Sequence, residues 1–203
     1  MVAAQVLEQV ALDRLYLIPC REPPHKTPDD LAPAADRVRM VQLALPADSG
    51  YRLSEIEIER SGPSYTIDTV NRFASEIVPD ATLFLVMGMD AFLEIHTWKR
   101  WLELLERVQP VVASRQLDGK SDADDERSMM DGYIRTWLCG DYTYNERMNG
   151  WQNADGARIH LLQTRPVAVS SSQVRRRIRT GKAIADLVPL AVKAYIEEKE
   201  LYR

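Results

Sequence analysis

Cysteine is scarce in this chain: Cys20 and Cys139 are the two in 203 residues, too few for a disulfide framework. No apolar run is long enough to span a bilayer, and the first residues lack the apolar core of a secretory signal. Positive charge is not in excess either, since 26 Lys and Arg against 30 Asp and Glu leave a formal net charge of −4. Bulk electrostatics therefore gives no hold on nucleic acid or on an anionic membrane, and an anionic ligand must be gripped by local clusters. Histidine is equally sparse: none of His25, His96 and His160 stands at metal-ligand spacing from a second ligand. The acidic run DADDE at 122–126 lacks the glycine and closing glutamate of a calcium loop, and reads as a solvated surface. A reduced, cytoplasmic setting is expected.

What is present suits one globular domain over residues 1–203, with 45% apolar and 28% charged residues. Val2, Ala3, Val6, Leu7 and Val10 recur at helical spacing, and Leu15 to Ile18 form a short apolar strand closed by Pro19. A Pro-rich loop over 20–32 leads to a second helix ending near Leu45. RLSEIEIER alternates as a half-exposed strand does, and a Gly-Pro loop at 62–63 precedes a helix from about Tyr65 to Val78. TLFLVMG is a continuous apolar run of the kind buried on both sheet faces; helix through 91–107 and the strand PVVAS follow. Residues 116–155 turn polar and lose periodicity, which marks an insertion with one helix of its own. After IHLLQT and VAV, residues 169–203 form a helical C-terminal part. Strands alternating with helices predict an α/β fold built on a doubly wound parallel sheet.

Such sheets bind ligands beyond the carboxyl ends of their strands, and three post-strand loops carry chemistry. In MGMDAFLEIHTWKRW, Gly88 allows close backbone approach and Asp90 can accept hydrogen bonds from a ribose or an amide. Trp98 and Trp101 stand at i, i+3 on one helical face; Trp101 reads as a core anchor, whereas Trp98 can also offer its ring to a planar ligand. In VSSSQVRRRIRTGK, Ser170 with Gln173 fits a capping box, so a helix amino terminus with hydroxyls and Arg175 makes a phosphate site. Arg176, Arg177 and Arg179 read as a solvated basic face. In PPHKTP, His25 and Lys26 are donors on a stiffened loop, although a plain surface loop explains them as well.

PPHK, RSGPSYTIDT, GMD, TWKRW, VVASR, VSSSQVR and LVPLAVKAYIEEKELY occur in an order that resembles the bacterial nicotinate mononucleotide adenylyltransferases, over nearly all of the chain except 116–155. VSSSQVR marks the wider nucleotidyltransferase superfamily, while GPSYT with TWKRW points to this member. The resemblance implies a Rossmann-like sheet followed by C-terminal helices, and adenylyl transfer from ATP, accompanied by Mg²⁺, to nicotinate mononucleotide. It implies that Tyr65, Thr66, Asp90, Trp98 and Arg115 hold the mononucleotide. By the same likeness His25, Lys26, Gly88, Asp90, Ser171, Ser172 and Arg175 hold ATP. The expected partners are those two small molecules, with neither nucleic acid nor membrane; a homo-oligomer is left open.

The family's first strand and its G-G-x-F-D-P-x-H-x-G-H phosphate loop have no counterpart here: no glycine precedes Gly50 and no H-x-G-H pair occurs. No catalytic residue is therefore assigned. The missing loop belongs upstream of Met1, and the sequence is expected to continue there by about 20 residues, the span of a strand and loop. Gln116 also departs from the pattern, standing where a proline commonly follows the arginine. Three other readings stay open: preference for the nicotinamide mononucleotide, another adenylyl- or cytidylyltransferase of the superfamily, and a non-catalytic nucleotide-binding remnant.

Overall fold

Elements alternate along the chain much as the apolar pattern requires. The computed structural model describes residues 2–22, 31–46, 50–115, 123–138, 141–164 and 169–203, and the chain forms two compact units. The first unit joins Met1–Leu12 to Tyr65–Val167; the second joins Asp13–Ser64 to Ala168–Arg203.

In the first unit, helix α1 (Val2–Gln9) buries Val6 completely and packs on β7 (Arg158–Thr164). Its five-stranded sheet has the order β3-β4-β7-β6-β5. Strands β3 (Phe84–Gly88), β4 (Gln109–Arg115) and β7 run parallel. The polar stretch contributes more than a helix: besides α6 (Ala123–Trp137) it supplies β5 (Thr143–Asn145) and β6 (Gly150–Gln152), which extend the sheet antiparallel. Three-residue strands are too short to show a period, and hairpin-linked antiparallel edges on a parallel sheet are common. Gly150 lets β6 lie against β7, because a Cβ there would stand 2.2 Å from the Ile159 carbonyl oxygen.

Helix α6 is amphipathic despite its polarity. Met130, Ile134 and Leu138 are buried at four-residue spacing with Trp151, while Asp124, Asp125 and Glu126 occupy the first turn, where the helix dipole favours negative charge. The run DADDE is thus not all solvated surface, since Glu126 is buried.

The most buried strand is β4, not β3: Val111, Val112, Ala113 and Ser114 are all buried, whereas Val86 of β3 is 37% exposed. Among the described residues β3 has one ladder neighbour, and strand order rather than composition decides which apolar run is covered on both sides. The expected single helix through 91–107 is three pieces: α4 (Met89–Leu93), a 3₁₀ turn at Ile95–Thr97, and α5 (Trp101–Arg107). Helix α3 (Thr66–Glu76) completes this unit and buries Ile67, Val70 and Phe73.

In the second unit, β1 (Leu15–Leu17) and β2 (Tyr51–Leu53) form a two-stranded parallel ladder. The strand expected through RLSEIEIER stops at Leu53. Ile56 and Glu57 are both buried, which breaks the period of two, and the Ile58 and Glu59 amides both bond the Glu55 carbonyl in a turn. Helices α2 (Ala34–Ala44), α7 (Ser171–Arg179) and α8 (Leu190–Glu198) surround a core of Val174, Ile184, Val192 and Ile196. Tyr195 donates to Asp36 at 2.7 Å, joining α8 to α2.

Candidate active site

Gly88 ends β3 and caps α4 with φ −76° and ψ 161°, so its backbone conformation is open to any residue. The space of its missing side chain is filled from within: a Cβ there would lie 2.5 Å from Asp90 Oδ1. The glycine therefore leaves room for Asp90, whose exposed carboxylate folds back over the end of the strand.

Tyr65 caps α3 and its carbonyl accepts the amides of Asp68 and Thr69 at 3.1 and 3.2 Å; Thr66 is the first helical residue. Trp98 closes the 3₁₀ turn in extended conformation, and both Tyr65 and Trp98 pack against the first unit's core. Trp98 and Trp101 do not share a helical face: α5 starts at Trp101, after Arg100 turns the chain in the left-handed region with φ 52°. The Trp98 segment is tied to α3 by charge. Lys99 Nζ lies 2.9 Å from Asp68 Oδ2 and 4.4 Å from the centre of the Tyr65 ring. Asn71 donates to Glu103 at 3.2 Å and, with Arg100 and Arg107, holds that carboxyl below its usual range against the opposing effect of burial. Tyr65, Thr66, Asp90 and Trp98 thus belong to one unit, on segments linked to its parallel strands.

In the second unit the helix-capping expectation is met on one side: Ser170 Oγ accepts the Gln173 amide at 3.1 Å. Ser171 and Ser172 are exposed on the first turn of α7, and Arg175 donates to Ser172 Oγ at 3.1 Å, so hydroxyls and guanidinium converge at the amino terminus of the helix. Arg177 is not part of a solvated face; it bonds Asp186 at 2.6 Å and the Ala183 carbonyl at 3.0 Å. Met1, upstream of which the H-x-G-H loop is expected, lies outside the described residues, so the first described residue is Val2 of α1. His25 and Lys26 lie outside them too, as does the side chain of Arg115, whose backbone ends β4.

Other groups gave no sequence signal. At the carboxyl ends of β4 and β7, fully buried Ser114 donates to buried Glu126 at 2.5 Å, and Thr164 donates to the Ser114 carbonyl at 2.7 Å. Arg37 binds the carbonyls of Cys20, Arg21 and Ala32, pinning both flanks of the Pro-rich loop. His96, isolated in sequence, meets Tyr133 and Trp137 in space. A polar bond between residues so far apart leaves no periodic trace in the chain.

Parallel strands β3, β4 and β7 in one unit, and in the other a helix start bearing hydroxyls and an arginine, are features that recur among nucleotide-binding α/β proteins. Residues 1–177 match the cytidylyltransferase-like family. A relative from Desulfatibacillum aliphaticivorans is 38% identical over 98% of this chain and 90% of its own length. Others from Pelobacter propionicus and Pseudomonas fluorescens are 35% and 36% identical, each over 99% of this chain and 89% and 88% of their own. All three are named probable nicotinate-nucleotide adenylyltransferase. The chain belongs to the cytidylyltransferase-like family and, within it, to the nicotinate-nucleotide adenylyltransferases. The Plasmodium falciparum nicotinic acid mononucleotide adenylyltransferase complexed with NaAD shares the fold, with TM-score 0.68 and 18% identity, over 100% of this chain and 88% of that one.

Proposed function

We propose that this protein transfers the adenylyl group of ATP to the phosphate of nicotinate mononucleotide, giving deamido-NAD and pyrophosphate. The observation that carries the reading is the identity of 35% and 38% to nicotinate-nucleotide adenylyltransferases along nearly the whole chain. A phosphate oxygen of the mononucleotide attacks the α-phosphorus in line, the bond to the bridging oxygen breaks, and pyrophosphate leaves with the electron pair. No covalent intermediate with the protein is needed, so the protein contributes positioning and electrostatic stabilisation.

In this reading Trp98 stacks on the pyridine ring, Tyr65 and Thr66 present donors at the start of α3, and Arg115 holds the phosphate side. Asp90 accepts from the nucleotides, with Gly88 giving it room. Ser171, Ser172 and Arg175 take the ATP phosphates, with His25 and Lys26 assigned to the same ligand by resemblance. Among the described residues no three His, Cys, Asp or Glu side chains form a metal-holding group. Mg²⁺ is assigned, as in the resemblance, to the MgATP substrate, where it would neutralise phosphate charge. Residues 1–203 are taken as one catalytic domain because the family match runs through both units. Among the described residues no helix is long and apolar enough to cross a membrane; a cytoplasmic location is part of the proposal. Trp98→Ala should raise the apparent KM for the mononucleotide more than for ATP, and equal effects on both would count against the ring-stacking role.

A further inference from the structure

The turn that presents Trp98 is held from outside its own segment. Within it, the Thr97 and Trp98 amides bond the Glu94 and Ile95 carbonyls at 2.9 Å, and Ile95 is fully buried. Beyond those local bonds, the His96 amide donates to the Tyr133 hydroxyl at 3.2 Å, and the same hydroxyl lies 2.7 Å from His96 Nδ1. A hydroxyl has one donor and two acceptor sites, so Tyr133 can take the backbone N–H and bond Nδ1 at the same time. Trp137, one turn further along α6, stacks on that imidazole with ring centres 4.0 Å apart and planes 17° off parallel. Phe92 backs Tyr133 at 5.5 Å between ring centres. Burial pushes the Tyr133 hydroxyl up from its ordinary value, which keeps it protonated.

We propose that Tyr133 is a positioning residue for mononucleotide binding, its hydroxyl clamping His96 so that the next residues hold Trp98 ready to stack on the pyridine ring. This gives a task to α6 within the polar stretch 116–155, and it rests on the ring-stacking reading of Trp98. A two-point clamp on backbone amide and ring fixes both the position and the rotation of the turn. Ordering the turn before the ligand arrives removes a cost that binding would otherwise meet.

The test is the dissociation constant for nicotinate mononucleotide alone, measured by calorimetry on the full chain, in a double-mutant cycle of Y133F and W98A. Y133F should weaken binding about tenfold when Trp98 is present, the loss of two hydrogen bonds at one hydroxyl. In the W98A background the same change should cost less than about twofold, because the clamp acts through Trp98. H96N, which keeps a polar partner where Nδ1 stands, should retain most of the affinity, while H96A, which removes the ring bond and leaves the backbone one, should fall between wild type and Y133F. Equal weakening by Y133F in both backgrounds, or none in either, would overturn the clamp and leave the ring-stacking reading intact. An unchanged constant for W98A alone would overturn that reading and the clamp with it.

Discussion

Replacing Gly88 by alanine separates backbone need from side-chain need at the end of β3. With φ −76° the alanine is allowed, so no left-handed strain enters. The new methyl carbon would stand 2.5 Å from Asp90 Oδ1 and 3.7 Å from its Cγ, with no other heavy atom within 4 Å. The carboxylate is exposed and free to rotate away, so the fold should lose less than about 1 kcal/mol. In the proposed role, however, Asp90 leaves the position from which it would accept hydrogen bonds from a nucleotide. Hydrogen bonds to a charged group contribute about 1.5–3 kcal/mol, so nucleotide affinity should fall about 10- to 150-fold. Asp90→Ala should give the same loss, and the double variant no more than either single one, since both remove one interaction. Calorimetric titration with chemical denaturation alongside checks each part. Additive losses in the double variant, or a G88A protein that is several kcal/mol less stable, would refute the assignment of Gly88 as the residue that makes room for Asp90.

Ser114→Ala removes the hydroxyl that donates to the buried Glu126 carboxylate, and should cost about 1–3 kcal/mol in urea denaturation; an unchanged midpoint would show that the pair contributes nothing. Gly150→Ala should cost at least about 2 kcal/mol, because its Cβ meets backbone at Ile159 rather than a movable side chain, and a wild-type melting curve would contradict this. His160 is held below its usual pKa, first by burial and then by Arg158. The unfolded chain therefore binds the proton first as pH drops, so stability should fall as pH passes below about 6.5, and His160→Asn should flatten that slope; an equal slope in the variant would remove His160 as its source.

Much of the frame could be read in the chain because local chemistry decided it. Ser170 and Gln173 mark the start of α7, and Pro189 immediately precedes α8. Val111 to Ser114 read as buried strand and are. What was hidden depended on partners distant in sequence. The burial of TLFLVMG was overestimated because the neighbour count of a strand is set by topology, and Val86 faces outward. Helix α6 was blurred by acidic and polar residues around its apolar positions, although Met130 and Ile134 keep helical spacing. Trp98 and Trp101 looked like one face because nothing in TWKRW announces the left-handed Arg100 between them. Gly88 was legible as a special position, yet the reason lies two residues on, in the carboxylate of Asp90. The pairing of His96 with Tyr133 joins residues 37 apart, and only the packed fold brings them within reach.

The acceptor and the nucleotide that the protein uses together define its activity. Product analysis by chromatography should be run with MgATP and nicotinate mononucleotide on the 203-residue chain. The account predicts deamido-NAD and pyrophosphate in equal amounts, with CTP or phosphopantetheine unable to replace either substrate. Formation of a cytidylyl or phosphopantetheine product instead, or no deamido-NAD, would contradict this assignment.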